Sequence, residues 1–276
     1  MPDQHLTVLG AGHMGRALIS GLLRSGTRPE RISVGESSES ARGALARELG
    51  VTATADNARA AEGASVVVLA VKPQEVRAVL TALAAQLRLQ RPLLLSVAAG
   101  IRVAALEGWC GAGVPVMRAM PNRAALLGAG VTALYAPPSV GAAQRAAAER
   151  VARSVGEIVW VSEEDHLDVV TALSGSGPAY FFLLAQHMAE AAAGLGLAAP
   201  VARALAAATL HGAGLLAHSP GADLARLRAE VASAGGTTEA ALAVFADADL
   251  EGTVARALAA AARRSRELGT AAGREP

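Results

Sequence analysis

Apolar and polar positions fall into two regimes along the chain. Up to about residue 162, short apolar runs alternate with longer stretches in which apolar residues recur at helical spacing; beyond it only the helical spacing continues. Residues 6–9, 31–34, a short segment near Val51, 65–71, 93–97, 114–117, 131–134 and 157–161 read as strands. The run from Val66 to Leu69 is continuously apolar, as expected of a parallel strand covered on both faces. Met14, Ala17, Leu18, Gly21 and Leu22 share one helical face, and further helices are expected over about 38–49, from Asn57 onward, over 74–87 and over 139–155. From Glu163 the pattern predicts helices over 165–173, 179–195, 200–218, 224–232, 237–246 and 250–268, with Gly and Pro near their ends and a frayed tail over 269–276. The expected architecture is an α/β domain over residues 1–162 followed by an all-α domain over residues 163–276.

The chain has 276 residues, of which 52% are apolar and only 3% aromatic, so its core must be built of Ala, Val and Leu. Its 25 basic and 24 acidic residues nearly cancel, and no basic run is interleaved with aromatics, so a small molecule is expected as partner rather than nucleic acid. The longest purely apolar runs, such as 66–71 and 179–185, fall short of the roughly 20 residues that cross a bilayer. No basic-flanked apolar leader is visible either, and a cytoplasmic location is expected. Cys110, the one cysteine, lies in a glycine-rich, loop-like stretch and is expected to be a bystander thiol. His211 and His218 lie seven apart on one helical face without a Cys or carboxylate to complete a set, so no metal site is expected.

The candidate chemistry begins at the first strand. Gly10, Gly12 and Gly15 follow it and precede a helix, which is the arrangement of a dinucleotide-binding (Rossmann-like) turn. Gly10 would permit the tight turn, Gly12 would let the backbone approach a pyrophosphate, and Gly15 would let the helix pack on the strand. The phosphates would face the free N–H groups of the helix N-terminus. Glu36 and Ser37 follow the second strand, and Glu36 lies 21 residues past Gly15, where an acid holds the ribose hydroxyls and repels a 2′-phosphate. That favours NAD over NADP, although Arg42 is within reach of a phosphate and Glu36 also reads as a solvated loop carboxylate. Lys72, the sole lysine, ends a central strand where open α/β sheets bind ligands, and reads as a cofactor contact or a surface charge. Small residues at 98–100 leave room for a ligand, and Asn122, after Pro121, offers an amide to the nicotinamide or ribose edge.

In the helical part, residues 173–180 and 233–239 each place small residues and hydroxyls immediately before a helix. Taken separately each reads as plain capping by Ser and Thr; both would also present N–H groups to an anion such as a carboxylate. Ser176 lacks the flanking glycines of a hydrolase nucleophile elbow. The helices over 179–185 and 201–216 are apolar nearly all round, which predicts self-association.

Together, residues 10–15, 70–73, 118–122, 173–180 and 235–238 closely resemble the motifs of the pyrroline-5-carboxylate reductases, in order and from residue 6 to about 268. The resemblance implies a dinucleotide-binding domain followed by an α-helical dimerisation domain, with NADPH or NADH as cofactor and dimers that often assemble into decamers. It implies reduction of 1-pyrroline-5-carboxylate to L-proline at a site to which helices of a second copy contribute. By position, His13 and Met14 would lie along the pyrophosphate, Asn57, Val71 and Lys72 along the adenosine ribose, and Ala98 at the nicotinamide end. Ser233 and the backbone of Gly236, Thr237 and Thr238 would hold the substrate carboxylate, and the Thr238 hydroxyl the ring nitrogen. Three positions depart from the family pattern: Ala234 stands where Pro is frequent, and Glu36 and Glu230 stand where uncharged or basic groups accompany NADP. A related imine or β-hydroxyacid reductase would want a lysine in the second domain, and none follows Lys72. A cofactor-sensing regulator would have no use for the substrate cradle.

Overall fold

The computed structural model describes residues 4–274. Eight strands form one sheet in the order β3-β2-β1-β4-β5-β6-β7-β8. They are β1 (Leu6–Leu9), β2 (Ile32–Gly35), β3 (Thr52–Thr54), β4 (Val66–Leu69), β5 (Leu93–Ser96), β6 (Val116–Pro121), β7 (Gly130–Tyr135) and β8 (Gly156–Trp160). Every pairing is parallel except β6 with β7. All eight coincide with strands expected from the sequence.

The central strands are apolar on both sides because both sides are covered. Leu6, Val8, Val66, Val68, Leu93 and Leu95 pack with α1 (His13–Arg24) and α6 (Ala142–Arg153) on one face. Leu9, Val67, Leu69 and Leu94 pack with α4 (Pro73–Gln90) and α5 (Val103–Cys110) on the other. Strand periodicity of two sends alternate residues to opposite helical layers. Thr7, the polar member of β1, is fully buried and satisfied, its hydroxyl donating to the Ala60 carbonyl at 2.6 Å. Two further helices, α2 (Glu39–Leu49) and α3 (Asn57–Ala60), follow β2 and β3; the Asp56 carboxylate caps α3 by accepting from the Ala58 and Arg59 amides. The chain direction across the sheet reverses between β1 and β4, and ligands of such sheets bind beyond the carboxyl ends at that switch point.

The stretch around Cys110 is a correction. Trp109 and Cys110 end α5 rather than lying in a loop, and the thiol is buried against Val116 and its neighbours. Burial pushes its pKa up to about 11, so the unreactive character expected of it has a structural cause.

The chain divides into two compact units. One comprises everything up to Gly175 together with residues from Ala261 onward; the other is Ser176–Ala260. The sheet ends at Trp160, close to the change of periodicity at 162. The first unit nevertheless continues through α7 (His166–Val170), because Leu167, Asp168 and Ala172 are buried in it. The second unit contains α8 (Gly177–Gly194), α9 (Ala199–Ala217), α10 (Leu224–Val231), α11 (Thr237–Asp247) and the start of α12 (Leu250–Arg274).

Residues 173–180 also differ from expectation. Thr171–Gly175 form a π-helical turn that joins α7 to α8, so helical backbone runs from His166 to Gly194. The Thr171 and Ser174 hydroxyls donate back to the Leu167 and Val170 carbonyls within that helix. The stretch thus enters α8 from a preceding helical turn, through a bend at Ser176, rather than from a loop. The continuous helix is 29 residues long with a mean hydropathy of 1.3 over its most apolar window, long and apolar enough to cross a bilayer by length and composition. Counting uninterrupted apolar runs underestimates it, since Ser and Gly residues do not break it.

Residues 269–274 are helical where fraying was expected. Helix α12 continues to Arg274, and residues 275–276 lie outside the described part. Its last turns return to the sheet unit: the buried Ser265 hydroxyl donates to the buried Asp168 carboxylate at 2.6 Å. A methyl group at Gly269 would lie 2.1 Å from the Gly100 carbonyl oxygen, so backbone meets backbone there. Replacing Ser265 by Ala leaves Asp168 one donor short, and should lower the unfolding free energy of the sheet unit by about 1–3 kcal/mol in urea titration.

Candidate active site

The site starts from three glycines with three different surroundings. Gly10 has φ +92°, and a methyl group there would lie 2.8 Å from the Ala70 carbonyl oxygen and the Val71 nitrogen. The glycine turn thus rests directly on the end of β4. A methyl group at Gly15 would lie 2.1 Å from the Gly10 carbonyl oxygen, so α1 packs against the turn through bare backbone. At Gly12 a methyl group would meet nothing within 4 Å, and the residue is exposed. Gly12 caps α1 without any side-chain hydrogen bond, leaving the first-turn N–H groups of α1 open. An open backbone surface at a helix N-terminus, at the switch point of the sheet, fits the pyrophosphate of a dinucleotide.

Around that opening the structure gathers most of the expected cofactor residues. His13 is exposed and Met14 half-buried, both in the first turn of α1. Gly10 donates its N–H to the Gly35 carbonyl at 2.8 Å, tying the turn to the end of β2. Glu36 follows directly, and its carboxylate accepts from the Ala11 N–H at 2.8 Å and from the Ser38 N–H at 2.8 Å. Glu36 is therefore a fixed member of the glycine turn and no longer reads as a solvated loop carboxylate. Arg42 donates from Nη1 to the Glu36 and Ser37 carbonyls at 2.9 and 2.7 Å. The Asn57 carboxamide lies against Gly35, where a methyl group would come within 2.2 Å of its oxygen. Val71 touches the glycine turn, and Lys72 is exposed at the start of α4. Ala98 is buried after β5, its N–H donating to the Ser96 hydroxyl at 3.3 Å.

Asn122 has a local task, which leaves its amide nitrogen open to a further acceptor. Its carboxamide oxygen accepts from the Val131 N–H at 3.2 Å, closing the turn between β6 and β7. In the sheet order it stands three strands from β1, beyond β4 and β5.

The second motif lies in the other unit. Gly235 has φ +68°, Gly236 donates its N–H to the Ser233 carbonyl at 3.0 Å, and Gly236 caps α11 without a side-chain hydrogen bond. A methyl group at Gly236 would lie 2.5 Å from the Ser233 hydroxyl, so the loop folds tightly over Ser233. The first-turn N–H groups of Thr237 and Thr238 have no acceptor one turn back in α11, as at any helix start. Thr238 is half-buried, Thr237 and Ser233 are exposed, and the Glu239 carboxylate accepts from the Gly235 N–H. Ala234 occupies the loop without disturbing these bonds. Glu230 pairs along α10 with Arg226 at 3.4 Å.

Sequence reasoning missed a polar cluster beside β5 and β6. The buried Arg118 donates to Glu164 at 2.8 Å, and the same carboxylate oxygen accepts from the Val103 N–H at 2.7 Å, capping α5. Arg102 pairs with Asp165 and lies 3.5 Å from the buried Asp168. This cluster frames residues 98–101 between two anchored ends. The acidic run at 163–165 was its only sequence signal.

Residues 164–268 match the family model described as pyrroline-5-carboxylate reductase dimerisation, and residues 5–100 that described as NADP oxidoreductase, coenzyme F420-dependent. The chain is 43% identical over 268 residues to the pyrroline-5-carboxylate reductase of Pseudomonas aeruginosa, covering 97% of this chain and 98% of that one. The solved pyrroline-5-carboxylate reductase of Coxiella burnetii superposes with a TM-score of 0.92 at 38% identity, over 96% of this chain and 98% of that one. The Plasmodium falciparum pyrroline carboxylate reductase with NADP bound superposes with a TM-score of 0.85 at 25% identity, over 98% and 99%.

The glycines separate folding from binding. Gly12→Val should cost only about 1 kcal/mol of helix-cap preference while abolishing dinucleotide quenching of tryptophan fluorescence. Gly15→Ala, forced against the Gly10 carbonyl, should instead lower the melting temperature. The Cys110 thiol should resist a maleimide at pH 8 in the native protein and react fully in urea.

Proposed function

The chain belongs to the pyrroline-5-carboxylate reductase family, and from that premise we propose which of its residues carry the reaction. It reduces 1-pyrroline-5-carboxylate to L-proline with NAD(P)H and associates with itself through its helical part. Among the described residues three helix starts, α1, α6 and α11, open with a glycine cap and no side-chain hydrogen bond, and the two of them that lie in the family motifs, α1 and α11, carry the residue assignment. One suits a pyrophosphate and the other a carboxylate.

We assign the dinucleotide to Gly10, Gly12, His13, Met14 and Gly15, with Glu36, Ser37, Asn57, Val71 and Lys72 around the adenosine ribose and Ala98 at the nicotinamide end. The open backbone at Gly12 and the fixed Glu36 carboxylate support this placement. When bound, the reduced nicotinamide supplies a hydride to the carbon of the substrate C=N bond. The Gly236, Thr237 and Thr238 backbone, with Ser233 beside it, holds the substrate carboxylate at the positive end of α11. The Thr238 hydroxyl accepts from the protonated ring nitrogen and orients the imine. A nitrogen that already carries its proton makes the adjacent carbon electrophilic, so the protein has to position and exclude water rather than donate a proton.

Self-association is part of the same reading. In the helical unit, only Gly177, Ala189 and Ala202 are buried in α8 and α9, while Phe181, Phe182, Leu183, Leu184, Leu205 and Leu215 are half or more exposed. A second copy would cover them, and we extend the assembly to dimers that associate further, up to a decamer. We place the reaction in the cytoplasm, where reduced nicotinamide cofactors are maintained.

In a spectrophotometric assay with pyrroline-5-carboxylate, NADH or NADPH should be oxidised, and oxidation of neither overturns the reading. Thr238→Ala should lower kcat by about 100-fold, the range for losing a group that touches the reacting atoms, with the cofactor Kd changed less than two-fold. An equal loss in both would place the threonine elsewhere.

A further inference from the structure

We propose that this chain selects NADH over NADPH and that Glu36 is the residue that discriminates. The inference rests on the cofactor placement above and deepens it.

A carboxylate selects against a phosphate only if it cannot swing away, and Glu36 cannot. Its two oxygens accept from backbone donors on two different segments, Ala11 in the glycine turn and Ser38 at the start of α2, each at 2.8 Å. Each oxygen has two acceptor positions, so one on each remains for a further donor. Neighbouring ribose hydroxyls are two donors, which matches. A 2′-phosphate replaces one of those donors with acceptor oxygens and up to two negative charges, which leaves the carboxylate unpaired and repelled.

The cations nearby offset this only in part, since Arg42 keeps its charge and its Nε and Nη2 donors while Nη1 is bound to the loop. Arg42, three residues into the chain after Glu39, spends Nη1 on the Glu36 and Ser37 carbonyls. It clasps the loop's main chain and so holds the carboxylate where it is. Lys72 follows β4 while Glu36 follows β2, and these strands flank β1 on opposite sides. Two strand spacings separate them by about 10 Å, so the lysine faces the adenosine ribose from the side opposite the carboxylate. The Asn57 carboxamide, pressed on Gly35, adds an uncharged wall. This chain thereby departs from the Plasmodium falciparum relative solved with NADP bound and from the NADP description of its first family model.

The test is direct binding of NADH and NADPH to the full-length protein by tryptophan fluorescence quenching, followed by kcat/KM with pyrroline-5-carboxylate. Wild type should bind NADH at least about 10-fold more tightly, between the bulk-water and near-surface limits for two like charges about 4 Å apart. Glu36→Gln, which keeps the size and one acceptor, should weaken NADH a few-fold and tighten NADPH about 10-fold. Glu36→Ser should shift the ratio in the same direction. Arg42→Ala should weaken both cofactors alike. Wild-type NADPH binding equal to or tighter than NADH overturns the proposal. So does a Glu36→Gln variant that changes both Kd values by one factor, or an Arg42→Ala variant that loses NADPH alone. Selective NADH binding without turnover of the imine would overturn the substrate reading and leave the selection intact.

Discussion

Everything at the cofactor end depends on backbone touching backbone. The glycine turn sits on the Ala70–Val71 peptide, and α1 sits on the turn, at separations no Cβ could tolerate. That stacking sets the direction of α1, and with it the direction of its open N–H groups. The same turn donates from Gly10 to Gly35 and from Ala11 to Glu36, so the neighbouring β2 loop is held in register with it. One close approach therefore sets the open start of α1, the β2 loop and the spacing between them. At Gly12 a methyl group would meet nothing, so the packing of the protein does not require a glycine there.

The helical unit obeys a different constraint. Its helices carry large apolar side chains on more than one face, and a single copy leaves most of them in water. A body of that kind is stabilised by association. The loop before α11 is carried by this weakly buried unit, so it is only as rigid as the assembly that covers it. The sheet unit, with two sealed core layers, has no such dependence.

A second device ties the end of the chain to the cofactor unit. The last turns of α12 lie against Gly100 and reach the buried Asp168 through Ser265. Arg102, Asp165, Glu164 and Arg118 extend this polar cluster to the start of α5 and the end of β6. Buried charges of this kind hold geometry more than they add stability. Here the geometry held is the loop that begins at Ala98.

The sequence by itself determined the strands, the helical layers, the glycine turn and the family motifs, because each is written in local periodicity or in residues a few positions apart. Strands such as Val66–Leu69 are legible since burial on both faces leaves an uninterrupted apolar run. The π-helical join at Thr171–Gly175 was not legible, since Ser and Gly signal a break equally well. Nor was α5, whose Trp109 and Cys110 sit among glycines, or the return of α12, which depends on a contact between Gly100 and Gly269. Tertiary structure alone decided that Asn122 closes a turn and that Glu36 is clamped by the Ala11 and Ser38 amides. Those outcomes depend on which main-chain donors the fold brings within 3 Å, and residue order does not encode such distances beyond a few positions.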